Sequence, residues 1–143
     1  MNILITGGMG LIGSNLVKKL LEINYPFSQI YIADNLWRGK IENIFKNNKP
    51  IISLENQFFN IDLSDYDNCL KVTKNINLII HLADIVSGIN FVFENEPFVF
   101  RQNILINSNI LKASIQNQVA KILYVGTACS YPAEKQAYLD PIP

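Results

Sequence analysis

The sequence predicts one doubly wound α/β domain: a parallel sheet with helices on both faces, truncated after a fifth strand. Three observations predict it. Short apolar runs recur along the chain, and most are followed by a stretch with helical spacing. Those runs are apolar at nearly every position, as in strands covered on both faces. A glycine-rich turn, Thr6-Gly7-Gly8-Met9-Gly10-Leu11-Ile12-Gly13, joins the first run to the first helical stretch. The 143 residues give room for a single domain.

Taken in order, residues 2–5 form the first strand. Leu11, Ile12, Leu16, Val17, Leu20 and Leu21 recur at helical spacing and predict a helix over 11–21. Residues 29–33 form the second strand and 58–61 a short third one. Ser64 is placed to cap a helix ending near Thr73. Residues 78–83 form the fourth strand and 121–125 the fifth, with a long helix over 97–116 between them. The stretches 35–49 and 129–143 read as irregular, the second because of Pro132, Pro141 and Pro143. On the long helix Phe98, Phe100, Ile104, Ile106, Ile110, Leu111 and Ile115 wrap most of the circumference. Two explanations stand for that: a homodimer formed through helix 97–116, or burial beneath further chain.

Composition excludes several classes. Twelve Lys and Arg balance twelve Asp and Glu, which argues against nucleic-acid binding through a basic field. At 49% apolar and 17% charged, the chain is not intrinsically disordered. No run approaches the roughly 18 apolar residues of a membrane span. The start lacks a signal-peptide pattern, and Cys69 and Cys129 are too few for a disulfide framework, so the expectation is a cytoplasmic chain with free thiols.

The glycine turn carries the chemistry. Gly7, Gly10 and Gly13 stand at Gly-x-x-Gly-x-x-Gly spacing between a strand and a helix. Gly7 permits the tight turn, Gly10 lets backbone approach a pyrophosphate, and Gly13 lets helix and strand pack closely. The N–H groups at the helix start, over Leu11 and Ile12, then face the phosphates. Asp34 closes the second strand, where a carboxylate accepts both ribose hydroxyls of an adenosine and repels a 2′-phosphate. NAD is therefore favoured over NADP, although Arg38 and Lys40 lie near enough to blunt that repulsion. His81 is the sole histidine and sits inside an apolar strand, which reads as structural; no His/Cys/Asp spacing suggests a metal site. Asp84 reads as a turn or helix-capping residue, Cys69 as core, and Arg101 as solvated.

With these motifs the chain resembles the extended short-chain dehydrogenase/reductase family, and within it the NAD-dependent nucleotide-sugar epimerases and dehydratases. Asp34-Asn35-Leu36 resembles the family's adenosine-ribose segment, and Asp62-Leu63 its adenine-facing pair. His81-Leu82-Ala83 resembles the cofactor-lining fourth strand, with Asp84 where the family usually has a small residue. Asn103 matches an asparagine of the long helix. Gly126-Thr127-Ala128-Cys129-Ser130-Tyr131-Pro132 resembles the fifth-strand motif that carries the catalytic Ser or Thr. The resemblance implies a Rossmann-type NAD(P) domain, a nucleotide-sugar substrate, and Thr127 as the residue that hydrogen-bonds the reacting sugar oxygen. The Cys129 variant of the motif resembles the GDP-mannose 3,5-epimerases and GDP-fucose synthases, which implies a GDP-sugar and a proton-transfer role for Cys129. The same likeness leaves open an NADP-dependent reductase.

The family's Tyr-x-x-x-Lys pair is not matched. Tyr131 and Lys135 fit the letters, but Pro132 pushes Tyr131 out of helical geometry. The expectation is therefore the N-terminal cofactor part of a longer enzyme, residues 1–143, inactive by itself. A non-catalytic NAD-binding module and a truncated remnant are the alternatives.

Overall fold

The computed structural model describes residues 1–127 and residue 132. Five strands form one parallel sheet: β1 (Ile3–Thr6), β2 (Ile30–Asp34), β5 (Phe58–Asn60), β6 (Leu78–His81) and β7 (Lys121–Tyr124). Two short strands, β3 (Phe45–Lys46) and β4 (Lys49–Pro50), form a separate antiparallel hairpin. The helices are α1 (Leu11–Glu22), α2 (Tyr66–Thr73), α3 (Ile89–Glu94) and α4 (Glu96–Gln116).

The sheet order is β5-β2-β1-β6-β7. The chain starts in the middle, builds outward through β2 and β5, then returns to the other side of β1. The point of reversal lies between β1 and β6, where the carboxyl ends of the strands leave a crevice. Alternation along the strands divides the core in two. Leu4 and Ile79 face α2 and α4, packing with Leu63, Cys69, Val72, Ile106, Ile110 and Ala113. Ile3, Ile5, Ile30 and Ile32 face the other side, with Met9, Val17, Ile44 and Ile52. The doubly wound parallel architecture expected from the sequence is the one observed.

Several boundaries differ from expectation, each for a local reason. Asp65, not Ser64, caps α2: its side chain accepts the Asp67 N–H at 2.8 Å. The N–H of Ser64 is taken by Asp62 Oδ1 at 2.8 Å, and that turn delays the helix by one residue. Asp65→Ala is expected to lower stability by about 1 kcal/mol, measurable in urea unfolding, whereas Ser64→Ala should change little. The irregular stretch after β2 contains the β3–β4 hairpin, whose turn residues Asn47 and Asn48 have φ of 53° and 59°. Asparagine tolerates that left-handed region, as two-residue hairpin turns require.

The fourth strand stops at His81: the Leu82 N–H still reaches the Thr6 carbonyl at 3.3 Å, but the Ala83 N–H turns to a side chain described below. The segment before the long helix contains α3, for which no element was expected. Helix α4 is not buried all round. Ile106, Ile110, Ala113 and Ser114 are buried, while Phe100 and Ile115 on the outer side are 70% and 79% exposed. Among the described residues no helix is long and apolar enough to cross a membrane.

Candidate functional site

The glycine turn sits at the crevice between β1 and β6. Gly7 has φ +67°, and its N–H bonds the Ala33 carbonyl at 2.8 Å. A Cβ on Gly7 would lie 2.9 Å from the Leu82 carbonyl oxygen. A Cβ on Gly13 would lie 2.4 Å from the Gly7 oxygen and 2.6 Å from the Gly8 Cα. These two glycines are required by the fold's own packing. Gly10 is different: an added Cβ would meet only the Gly7 oxygen, at 3.2 Å. Its outer side is open space at the start of α1, a cradle that a side chain would fill.

The first turn of α1 adds to that cradle. Gly10 caps the helix without a side chain, and no acidic residue stands in the first turn. The N–H groups of Leu11, Ile12 and Gly13 precede the helix's own acceptors. With the positive end of the helix dipole they suit an anionic group. The side chains of Leu11 and Ile12 are 79% and 66% exposed beside it.

Asp34 ties this loop to the end of β2. Its Oδ2 accepts the buried Met9 N–H at 2.9 Å and its Oδ1 the Leu36 N–H at 2.8 Å. Asp34 is buried, so it is a built part of the site rather than a solvated strand end. Each carboxylate oxygen keeps further acceptor capacity for a hydroxyl. The Met9 carbonyl in turn accepts from Lys40 N at 3.2 Å and Asn43 Nδ2 at 2.8 Å. The sequence reading missed Met9 and Asn43, which hold the loop tip against the segment after β2. Asn35 Oδ1 accepts the Trp37 N–H at 3.0 Å. Arg38 donates to the Val86 carbonyl at 2.9 Å.

The remaining candidates separate. Asp62 is exposed and Leu63 is buried in the core under α2 and α4. Cys69 is also core: its thiol donates to the Leu63 carbonyl, and burial, then the Asp65 and Asp62 carboxylates, push its pKa up to about 12. Leu82 and Ala83 are half-buried and donate their N–H groups to Thr6 Oγ1 at 3.1 and 3.2 Å. Asn103 uses its amide on the loop after β6, accepting the Ile85 N–H at 2.7 Å and donating to the Ile85 carbonyl at 3.3 Å. Asp84 caps no helix: the cap of α3 is Gly88, and Asp84 instead accepts from Asn107 Nδ2 at 3.2 Å. Burial pushes the Asp84 carboxyl above its usual range, opposed by that bond. Thr127 is exposed beyond the end of β7. Cys129, Tyr131 and Lys135 lie outside the described residues. Among the described residues no three His, Cys, Asp or Glu side chains gather as a metal site.

A parallel sheet of this order, with a glycine loop and a helix N-terminus at its switch point, defines a Rossmann-type dinucleotide-binding fold. The family model described as "NAD dependent epimerase/dehydratase family" matches residues 3–142, and the chain belongs to that family.

The GDP-mannose 3,5-epimerase 1 of Oryza sativa subsp. indica is 32% identical over 136 residues, 95% of this chain and 33% of its own length. A putative UDP-glucose 4-epimerase of Methanocaldococcus jannaschii is 36% identical over 126 residues, 87% of this chain and 37% of its own. Among solved structures, a Thermus thermophilus UDP-glucose 4-epimerase in complex with NAD superposes with a TM-score of 0.69 at 30% identity. That match covers 85% of this chain and 36% of the other. The chain thus spans about a third of the length of the relatives it matches.

Proposed function

We propose that residues 1–143 are the NAD-binding part of a cytoplasmic epimerase or dehydratase that acts on a nucleotide sugar. One observation carries the reading: the open cradle at Gly10, at the N-terminus of α1, directly follows Met9, whose N–H is held by the buried carboxylate of Asp34. The two features suit the pyrophosphate and the adenosine ribose of one dinucleotide. In this reading Gly7, Gly10, Leu11, Ile12 and Gly13 present backbone to the phosphates. Asp34 and Asn35 receive the ribose, and Asp62 and Leu63 border the adenine. Leu82 and Ala83, with Asn103 behind them, line the nicotinamide side. NADP fits less well, because Asp34 repels a 2′-phosphate and Arg38 is already held by Val86.

When bound, NAD supplies a hydride acceptor for the carbon of a sugar hydroxyl. The chain's own contribution is to orient that sugar. Thr127 donates a hydrogen bond to the reacting oxygen, and Cys129 moves a proton at a neighbouring carbon. The proton shuttle of the family would come from chain beyond Pro143. We favour a GDP-sugar, supported by the rice relative whose match covers 95% of the chain. A second copy packed on the exposed apolar side of α4, around Phe100, Ile104, Leu111 and Ile115, completes the reading as a homodimer.

The test is an assay of the protein encoded by the complete reading frame, with NAD and GDP-mannose, UDP-glucose or a dTDP-sugar. The expected outcome is conversion of one of them, with the GDP-sugar fastest, while the 143-residue chain alone converts none. No conversion of any by the complete protein would refute the proposal, and turnover by the short chain would refute its division of labour.

A further inference from the structure

The hydrogen bonds around His81 define its protonation state from both sides. Thr6 Oγ1 accepts the Leu82 and Ala83 N–H groups at 3.1 and 3.2 Å, which uses both of its lone pairs. Its own proton therefore points at its remaining neighbour, His81 Nδ1 at 2.7 Å, and Nδ1 carries no hydrogen. Across the ring, Asn107 Nδ2 donates to the Asn103 carbonyl at 2.7 Å and to Asp84 Oδ1 at 3.2 Å. The amide oxygen of Asn107 is thus the atom facing His81 Nε2 at 3.0 Å, and Nε2 carries the hydrogen. The two ends are independent and agree on one neutral tautomer.

The surroundings suit a neutral ring. Thr6 faces it from β1, Asn107 from α4, and the Tyr124 ring from β7 with centroids 6.0 Å apart. Asp84 reaches it only through Asn107. Burial pulls the His81 pKa below 6.5, with the Asn107 bond opposing.

We propose that His81 and Asn107 are positioning residues for the dinucleotide site, acting through Thr6 to hold the Leu82 and Ala83 amides turned in against the phosphate loop. Gly7 packs on that same pair, so the loop and the Leu82-Ala83 segment share one junction. A protonated His81 would need a lone pair of Oγ1 that the two amides occupy. Leu82 also has the Thr6 carbonyl, at 3.3 Å, so the amide that yields Oγ1 is that of Leu82, while Ala83 keeps it. Because the folded pKa lies below the unfolded one, this contribution is fully present above about pH 6.5 and is lost as pH falls through the folded value. Asp84, with a raised pKa, acts in the opposite sense, so a variant must isolate the histidine.

His81→Gln keeps one acceptor and one donor without titrating, and His81→Leu keeps neither. Amide hydrogen exchange in the 143-residue chain reads the junction directly, expressed as protection factors with Ile5 as an internal control. In the native chain Leu82 should be more protected at pH 7.5 than below pH 6.5 relative to Ile5, while Ala83 stays protected across that range. In His81→Gln the Leu82 protection should stay flat. In His81→Leu, where nothing orients the Thr6 hydroxyl, Ala83 protection should be lost at every pH, with NADH binding about tenfold weaker.

Native protection of Ala83 in His81→Leu would overturn the proposal, as would a hydrogen on Nδ1 at pH 7.5 in nitrogen NMR of the unmodified chain. The NMR measurement needs no variant to fold. The cofactor arm rests on the dinucleotide reading above. If the exchange pattern holds but NADH does not bind the native chain, that reading fails and the positioning of the amides stands.

Discussion

Gly13→Ala is expected to destabilise the fold by roughly 3 kcal/mol and to abolish dinucleotide binding in the same variant. The new Cβ would sit 2.4 Å from the Gly7 oxygen and 2.6 Å from the Gly8 Cα. Both are backbone atoms, so no flexible side chain can yield. The loop must lift off the start of α1, which removes the cradle and strains the β1–α1 junction together. Urea unfolding reads the first effect and an NADH titration the second. Gly10→Ala supplies the contrast, since its Cβ meets one atom at 3.2 Å. Stability there should change by about 1 kcal/mol or less, while binding is lost. If Gly10→Ala binds NADH as tightly as the native chain, the phosphates do not lie at Gly10.

Asp34→Ala is expected to cost about 2 kcal/mol of stability and at least tenfold in NADH affinity, order-of-magnitude figures for a buried donor left without its acceptor. The Met9 N–H is buried, and the Leu36 N–H loses its partner as well. Asp34→Asn keeps one acceptor oxygen and turns an amide N–H toward a backbone N–H, so its stability should fall between the two. It also removes the negative charge. The ratio of NADPH to NADH affinity should therefore rise in Asp34→Asn above that of the native chain. An unchanged ratio would mean that Asp34 does not face the adenosine ribose.

The main elements were legible because their signals are local. Apolar runs mark β1, β2, β6 and β7, and helical spacing marks α1. The three glycines fall where strand meets helix, and Cys69 in the middle of α2 reads as core. What was not legible depends on partners far apart in the chain. Thr6 and His81 are 75 residues apart and His81 and Asn107 are 26 apart, yet they form one chain of hydrogen bonds. Single Thr, His and Asn residues carry no period that would announce it. The same bonds mark the end of the fourth strand two residues early: the Leu82 N–H still reaches the Thr6 carbonyl, but the Ala83 N–H is taken by the Thr6 hydroxyl. Met9 and Asn43 were hidden likewise, because the hydrogen bonds that hold the loop tip run through the Met9 backbone. The β3–β4 hairpin did leave a signal in Asn47-Asn48, but its strands of two residues are too short for alternation to show.

The most direct test of the account uses its one tryptophan. Trp37 lies two residues past Asn35 and is 47% exposed, with its ring 6.0 Å from that of Phe91 and 6.1 Å from that of Phe98. Excitation of Trp37 during an NADH titration of the folded 143-residue chain reports binding by energy transfer to the reduced nicotinamide. The account predicts saturable sensitised emission that NAD competes away, that NADPH reproduces only weakly, and that Gly10→Ala abolishes. A chain that is folded by circular dichroism yet shows no saturable transfer, and no competition by NAD, would contradict it.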